Sequence, residues 1–225
     1  MRRLHITAEG QTEETFVNRT LKHHLAQFGV YADVRCVLTG RHGNKLFRGG
    51  MTSYAKAKSD ISKWLREEYD NSDVAFTTMF DYYALPNDFP GYADSAQLQD
   101  PYEKVACIEA ALEKDIADRR FISYIQLHEF ESLLFTDSQK FDIEFFDAQA
   151  GVADLNAISE EFKNPELINQ GPSTAPSKRI IRVFPRYADN KSTIGPMIAN
   201  EIGIDALKAT CRHFGEWLTK LELLG

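Results

Sequence analysis

Three separate segments of the sequence carry acidic side chains that could bind a metal ion. Glu9 precedes Gly10 in the first, Asp81 stands in the second, and the third contains Glu129 and Glu131. Carboxylates held close together repel one another, and a divalent cation relieves that repulsion. Mg²⁺ and Mn²⁺ prefer such oxygen ligands and retain several waters. If the fold brings the three segments together, the sequence predicts a Mg²⁺ or Mn²⁺ site. Its ligands would be Glu9, Asp81 and Glu129, and Glu131 is the alternative ligand to Glu129.

Other residues in these segments have simpler interpretations. Glu13 falls in the first turn of a predicted helix, where an acid favours the helix macrodipole, and we expect it to support the site together with Gly10. His128 is expected to be a hydrogen-bonded histidine at a strand end that also supports the site. Asp81 itself has two interpretations, because an aspartate at a strand end can open a turn instead of binding a ligand.

The elements that must position these residues follow from the hydrophobic pattern. Short apolar runs typical of strands cover residues 4–8, 33–38, 74–80 and 121–127, and helical spacing covers residues 12–28, 53–69 and 102–118. The alternation predicts an α/β fold with right-handed crossovers and a mainly parallel four-stranded sheet flanked by helices. Ligands bind at the carboxyl edge of such sheets, and the three acidic segments follow the first, third and fourth strands.

Residues after 135 read as short helices between turns, ending in one long amphipathic helix over residues 205–224. We therefore predict a core over residues 1–135 and a helical extension over residues 136–225. No flexible linker separates the two segments, so we expect the extension to pack on the core within the same domain.

Charge is distributed unevenly along the chain. The net charge is −7, but residues 35–66 carry eight Lys or Arg and one acid, whereas residues 129–166 carry ten acids and two Lys. Solvated faces explain such asymmetry, and so does a metal site that handles a phosphate backbone. Within the predicted loop over residues 39–50, which we expect to be mobile, Arg41, Lys45 and Arg48 are candidates to contact nucleic acid.

Several classes of protein are disfavoured. Cys36, Cys107 and Cys211 are too widely spaced for a disulfide framework or a zinc cluster. No apolar run is long enough to span a bilayer and the first residues do not form a signal peptide, so we expect no membrane association and a cytoplasmic location. The sequence has no Walker-type phosphate-binding motif, and a partner would have to supply any ATP dependence.

Four segments taken together resemble a known family. They are Glu-Gly-Gln-Thr-Glu at 9–13, the Asp-Tyr-Tyr region over 80–91, His-Glu-Phe-Glu-Ser-Leu-Leu-Phe at 128–135, and Pro-Ser-Lys-Arg at 176–179. Their order is similar to that of the domain-of-unknown-function family 4276, a divergent branch of the TOPRIM-like proteins related to the overcoming-lysogenization-defect nucleases. The resemblance implies a TOPRIM-like (Rossmann-like) core, often encoded beside an ABC or AAA-like ATPase in settings suggestive of phage defence.

The resemblance transfers only in part to this chain. Glu9 and Asp81 match the glutamate and the first aspartate of typical TOPRIM domains, but Tyr83 stands where a second aspartate is expected. Two-metal chemistry then depends on replacement of that ligand by Glu129 or Glu131. The resemblance also suggests that Lys178 holds a phosphate or polarises the transition state, and it makes Arg179 a further candidate to contact nucleic acid.

The leading hypothesis is a metal-dependent nuclease of DNA or RNA in which Glu9, Asp81, Glu129 and Lys178 are catalytic. The alternative is a catalytically decayed interaction or regulatory subunit of an ATPase system, and Tyr83 favours it. A small-molecule phosphohydrolase is a third hypothesis, for which the segment after Asp81 lacks the usual second acid.

Overall fold

The computed structural model describes residues 1–42, 45–48, 51–169 and 171–225, and for residues 39–42, 45–48 and 172 it describes the backbone alone. The strands are β1 (Arg2–Ala8), β2 (Val30–Cys36), β3 (Leu38–His42), β4 (Lys45–Arg48), β5 (Val74–Asp81), β6 (Phe121–Ile122) and β7 (Ile125–Gln126). The α-helices are α1 (Gln11–Phe16), α2 (Lys22–Ala26), α3 (Tyr54–Glu67), α4 (Tyr92–Ser95), α5 (Pro101–Ile116), α6 (Gln149–Phe162), α7 (Pro176–Val183), α8 (Lys191–Ile202), α9 (Ile204–Thr210) and α10 (Arg212–Glu222).

The main sheet is parallel, and its strand order is β2-β1-β5-β6, with β7 also pairing with β5. The register places Ala8 beside Cys36 on one side and beside Met79 on the other. The carboxyl ends of the three longest strands therefore lie at one edge. The predicted α/β class and parallel sheet are confirmed.

The fourth strand is not continuous, contrary to the prediction for residues 121–127. The strand is divided into β6 and β7 because Tyr124, which lies between them, bonds to the hydroxyl of Thr78 on β5 instead of to a backbone group. This Oγ1 accepts a hydrogen bond from the Tyr124 N–H at 3.0 Å and donates one to the Tyr124 carbonyl at 2.9 Å. The Ser123 N–H turns to the Glu113 carboxylate instead, at 3.0 Å.

The basic segment after β2 is also more regular than predicted. β3 and β4 pair as an antiparallel hairpin with Arg41 opposite Leu46, so an unstructured loop was the wrong prediction. The structure describes only the backbone at Arg41, Lys45 and Arg48, so the contacts of their side chains lie outside the described residues. The mobility of this segment stays a prediction.

Each face of the sheet is covered by its own hydrophobic core. On β5, Phe76 and Phe80 point to a core shared with α3 and α5, whereas Ala75 and Met79 point to the other core. This second core also contains Leu4 and side chains of α8, α9 and α10.

The division of the chain near residue 135 stays a prediction. In the described part of the chain, no helix has both the length and the apolar character required to cross a bilayer.

The long C-terminal helix predicted over residues 205–224 is broken in two. α9 ends before Cys211, whose backbone is extended, and α10 begins after it. The cause lies far away in sequence, because the buried Glu166 carboxylate accepts hydrogen bonds from the N–H groups of His213 at 2.8 Å and Phe214 at 2.9 Å. These bonds satisfy donors that a helix N-terminus leaves free.

Candidate active site

Adjacent parallel strands bring Glu9 and Asp81 together at the carboxyl edge of the sheet. Glu9 directly follows β1, and its N–H donates to the Met79 carbonyl at 3.0 Å, which extends the pairing with β5. Asp81 is the last residue of β5, and its N–H donates to Glu9 Oε2 at 3.1 Å. The two acids that sequence reasoning singled out first are thus joined by a direct hydrogen bond.

The third acidic segment reaches the same edge from β7. Glu129 is extended and immediately precedes a 3₁₀ helix (Phe130–Thr136), so Glu131 falls in its first turn. Glu129 Oε2 accepts a hydrogen bond from the Ser177 N–H at the start of α7, at 2.9 Å. Glu131 is only 5% exposed, and its Oε1 lies 3.4 Å from both Lys191 Nζ and the Tyr187 hydroxyl.

These acids line one open cavity of about 570 Å³, which we call the acidic pocket. Its acidic lining residues are Glu9, Glu13, Asp81, Glu129, Glu131 and Asp189. Lys191 is the one cationic side chain among the described residues that line it. The pocket therefore concentrates negative charge with little compensation from the protein.

The electrostatic cost of this arrangement shows in the acids' pKa values. Burial, reinforced by the neighbouring carboxylates, raises the pKa of Glu9 to about 7 and that of Glu13 to about 8. Burial also raises the pKa of Asp81 well above its usual range, with Glu13 and Glu9 adding to the effect. Burial raises the pKa of Glu131, although Lys191 opposes this.

The donor set fits a hard divalent cation. Asp81 Oδ1 is buried without a hydrogen-bond partner in the described structure, and a cation would satisfy it. Over the described residues, no three His, Cys, Asp or Glu side chains already lie in a metal-ligand arrangement. Glu9 and Glu129 instead accept backbone hydrogen bonds, so an ion held here would be bound in part through its own waters.

The predicted supporting residues lie around the pocket in distinct roles. Glu13 Oε2 accepts a hydrogen bond from the Gly10 N–H at 2.9 Å, which caps the start of α1. His128 is buried outside the pocket lining and has a left-handed backbone with φ of 61°. Its imidazole Nδ1 is buried without a hydrogen-bond partner among the described residues, contrary to the expectation of a hydrogen-bonded histidine. Its carbonyl accepts from the Tyr83 N–H at 3.1 Å, and burial lowers the pKa of its imidazole to about 4. His128 is therefore neutral at pH 7 and connects the second acidic segment to the third.

Tyr83 also lines the pocket. Its ring packs against His128 with centroids 5.2 Å apart. Burial raises the pKa of the phenol to about 12, and Glu129 adds to the effect. Tyr83 thus contributes a neutral phenol to the pocket lining.

Lys178 and Arg179 do not line the pocket. Lys178 is exposed on α7 and is not among the lining residues. Arg179 is only 8% exposed, donates to the Thr174 carbonyl at 2.7 Å and packs over the Phe162 ring. The Pro-Ser-Lys-Arg segment reaches the acids through the Ser177 backbone instead.

Sequence reasoning missed Lys191 and Asp189. Both belong to the region interpreted as a helical extension, and α8 packs against α1 so that its first residues join the pocket wall. No local pattern marks them, because only tertiary packing brings them to the pocket.

Comparison with known proteins gives a family without a stated activity. A family model described as a domain of unknown function (DUF4276) matches residues 8–222, nearly the whole chain. No curated protein and no solved structure matches the chain.

Proposed function

The chain belongs to the DUF4276 family, and we propose that this member is a metal-dependent nuclease that hydrolyses phosphodiester bonds of DNA or RNA with Mg²⁺ or Mn²⁺ at the acidic pocket. The site would be TOPRIM-like in its use of Glu9 and Asp81 at adjacent strand ends. The proposal extends to a cytoplasmic location. It also includes an ABC or AAA-like ATPase partner and a role in phage defence, both of which the family resemblance suggests.

The observation that carries this proposal is the unpartnered Asp81 Oδ1 within a cluster of poorly compensated carboxylates. Buried charges without partners are strongly unfavourable, and acids so placed either take up protons or bind cations. The raised pKa values of Glu9 and Glu13 express the first response when no ion is bound. A divalent cation offers the second.

A bound Mg²⁺ or Mn²⁺ would neutralise charge on the phosphate and lower the pKa of a bound water. The chain's own contribution is to hold the carboxylates in place. The Asp81 N–H orients Glu9, and the Ser177 N–H orients Glu129. Hydrolysis adds the elements of water across one P–O bond and leaves a phosphate monoester and a free hydroxyl.

The position of the basic hairpin supports nucleic acid as the substrate. β2 ends at Cys36, whose thiol donates to the Gly10 carbonyl at 3.2 Å, and β3 begins two residues later. The segment that carries Arg41, Lys45 and Arg48 therefore leaves the sheet at the same edge as the acids. Cations there would contact the phosphate backbone beside the site.

A second candidate function is a regulatory subunit in which the site has lost catalysis. The specific observation in its favour is Tyr83, which places a neutral phenol in the pocket where a second metal ligand is expected. Such a subunit would retain the fold and act on an ATPase partner without hydrolysing nucleic acid.

The test compares the parent protein with Asp81→Asn for Mn²⁺-supported cleavage of DNA and RNA and for the rise in Tm that Mn²⁺ causes. Asparagine keeps the shape of the side chain but loses the anionic oxygen, so we expect loss of both cleavage and the Tm rise. Asp94→Asn, on the exposed side of α4, is the matched control and should retain both.

The outcomes separate the hypotheses. A parent that shows neither cleavage nor a Tm rise with Mn²⁺, with or without an ATPase, is a decayed subunit. A parent that is silent alone but shows the Tm rise is a nuclease that requires activation. A full Tm rise in Asp81→Asn would remove Asp81 from the site and contradict the proposal.

A further inference from the structure

The C-terminal region contributes one wall of the acidic pocket through the start of α8, where Lys191 and Ser192 line the cavity. We propose that these two residues form a phosphate subsite, in which Lys191 rather than Lys178 contacts the substrate phosphate. This inference rests on the proposed phosphodiesterase function and names the group that would hold its anionic substrate.

Charge balance is the first argument. A phosphodiester carries a negative charge, and the carboxylates of the acidic pocket repel it. Lys191 is the sole cation among the pocket's described lining residues, whereas Lys178 is exposed on α7 outside the lining. Among the described residues that line the pocket, Lys191 is therefore the side chain that can attract an anion.

The geometry of the ion pair leaves Lys191 available to a ligand. Its Nζ lies 3.4 Å from Glu131 Oε1, and the Lys191 side chain is 35% exposed whereas that of Glu131 is 7% exposed. An ammonium group has three N–H donors, and Glu131 occupies one side of it. The buried acid thus fixes the ammonium at the pocket wall while its outer side remains accessible.

The position of Lys191 in its helix is the second argument. It is the first residue of a twelve-residue helix, where the macrodipole disfavours a cation. The first intrahelical bonds, from the Thr193 and Ile194 N–H groups, go to the Asn190 carbonyl, and Asn190 provides no side-chain cap. The N–H groups of Lys191 and Ser192 precede these donors and have no intrahelical acceptor, as at sites where helices bind phosphate.

A lysine at this position adds its charge to that of the helix N-terminus. Glu131 offsets part of the resulting repulsion, and a bound phosphate would offset the rest. The Ser192 hydroxyl adds a further donor at the same wall. A lysine and a serine that line one pocket wall at a helix N-terminus are chemically matched to a phosphate oxygen.

The experiment uses the full chain with Mg²⁺ and inorganic phosphate as the probe, because phosphate binding does not require turnover. The phosphate-dependent rise in Tm gives an apparent affinity, which we expect to fall roughly tenfold in Lys191→Ala and to be largely kept in Lys191→Arg. Lys114→Ala, exposed on α5, is the matched control. The rise in Tm with Mg²⁺ alone should persist in Lys191→Ala, because the carboxylates are intact.

Removal of Lys191 leaves Glu131 buried without its cation, so a second variant guards against misfolding. The double variant Lys191→Gln with Glu131→Gln removes both charges, and it should also lose phosphate affinity. Full phosphate affinity in Lys191→Ala or in the double variant would overturn the subsite. The same holds if Lys178→Ala, and not Lys191→Ala, weakens phosphate binding.

Kinetics distinguish this inference from the proposed function. With the chromogenic diester bis(4-nitrophenyl) phosphate and Mn²⁺, we expect Lys191→Ala to lower kcat/KM by at least tenfold. A parent that binds phosphate through Lys191 but does not hydrolyse the diester would contradict the nuclease and retain the subsite. A parent that hydrolyses the diester with unchanged kcat/KM in Lys191→Ala would retain the nuclease and remove the subsite.

Discussion

The N–H of Asp81 donates a hydrogen bond of 3.1 Å to the carboxylate of Glu9, and this bond joins the ends of two adjacent parallel strands. It leaves one oxygen of Glu9 and the whole Asp81 carboxylate for other partners. Since the two residues are 72 positions apart, their juxtaposition depends on the β1-β5 register.

Substitution of Glu9 should separate its structural role from its charge. Glu9→Gln keeps an oxygen that can accept the Asp81 N–H but loses the negative charge, so the apo Tm should be unchanged or higher and Mn²⁺ affinity at least tenfold lower. Glu9→Ala also leaves the Asp81 N–H without its partner and should cost about 1–3 kcal/mol of unfolding free energy. Urea unfolding and Mn²⁺ titration measure both effects. Equal stability of the two variants would contradict the role of the hydrogen bond.

Stability of the metal-free protein should depend on pH through the raised carboxyl pKa values. The folded protein keeps protons on Glu9 up to about pH 7 and on Glu13 up to about pH 8, whereas the unfolded chain releases them near the ordinary value of 4.5. Because the folded state binds more protons across this window, its stability is highest below it and falls as pH rises through it.

The measurement is the apo Tm between about pH 5 and pH 8.5, where we expect a fall of several degrees. Glu13→Gln retains an acceptor for the Gly10 N–H but has no titrating group, so its Tm should fall less. Mn²⁺ competes with the same protons, and its affinity should rise over this range. An identical pH slope in Glu13→Gln would exclude Glu13 as a source.

Gly195 should be required for the position of the tyrosine beneath Glu131. A Cβ at residue 195 would lie 2.7 Å from the hydroxyl of Tyr187, which is fully buried and cannot easily move. Gly195→Ala should therefore destabilise the protein by about 1–3 kcal/mol, although alanine favours a helix. In a Tyr187→Phe background the clash is absent and the penalty should largely disappear. The same penalty in both backgrounds would contradict this explanation.

Glu166 should stabilise the fold without affecting the acidic pocket. Its buried carboxylate accepts the N–H groups of His213 and Phe214, and Glu166→Ala leaves both donors unpaired at the start of α10. We expect a loss of about 2–4 kcal/mol in urea unfolding and an unchanged rise in Tm with Mn²⁺. Glu160→Ala, on the exposed side of α6, is the control. A loss as small as that of the control would disprove the cap.

The basic hairpin should contribute phosphate contacts. Exchange of Arg41 and Arg48 together for alanine should reduce the slope of log affinity against log salt concentration by about two contacts. Fluorescence anisotropy with a labelled oligonucleotide measures this slope. An unchanged slope would count against the hairpin as a nucleic-acid surface.

The sequence by itself determined the architecture of the sheet and the segments that supply the acids. Apolar runs of strand length alternating with helical spacing require right-handed crossovers, so the segments containing Glu9 and Asp81 had to end at a common edge. Prediction from the sequence uses local patterns and one topological rule, and it is correct where the elements are long. It failed at the divided fourth strand and at the broken C-terminal helix, because Thr78 and Glu166 insert polar groups from distant parts of the chain.

Only the tertiary structure decided which cation belongs to the pocket. Lys178 stands in a segment similar to a family motif, yet it is the backbone N–H of Ser177 that bonds to Glu129. The Lys178 side chain is exposed and does not line the pocket. Lys191 has no sequence signal, but packing of α8 on α1 places it beside Glu131, 60 residues away. Ion pairs depend on distance in space, and side-chain direction at a helix start is set by packing, which sequence spacing alone does not specify.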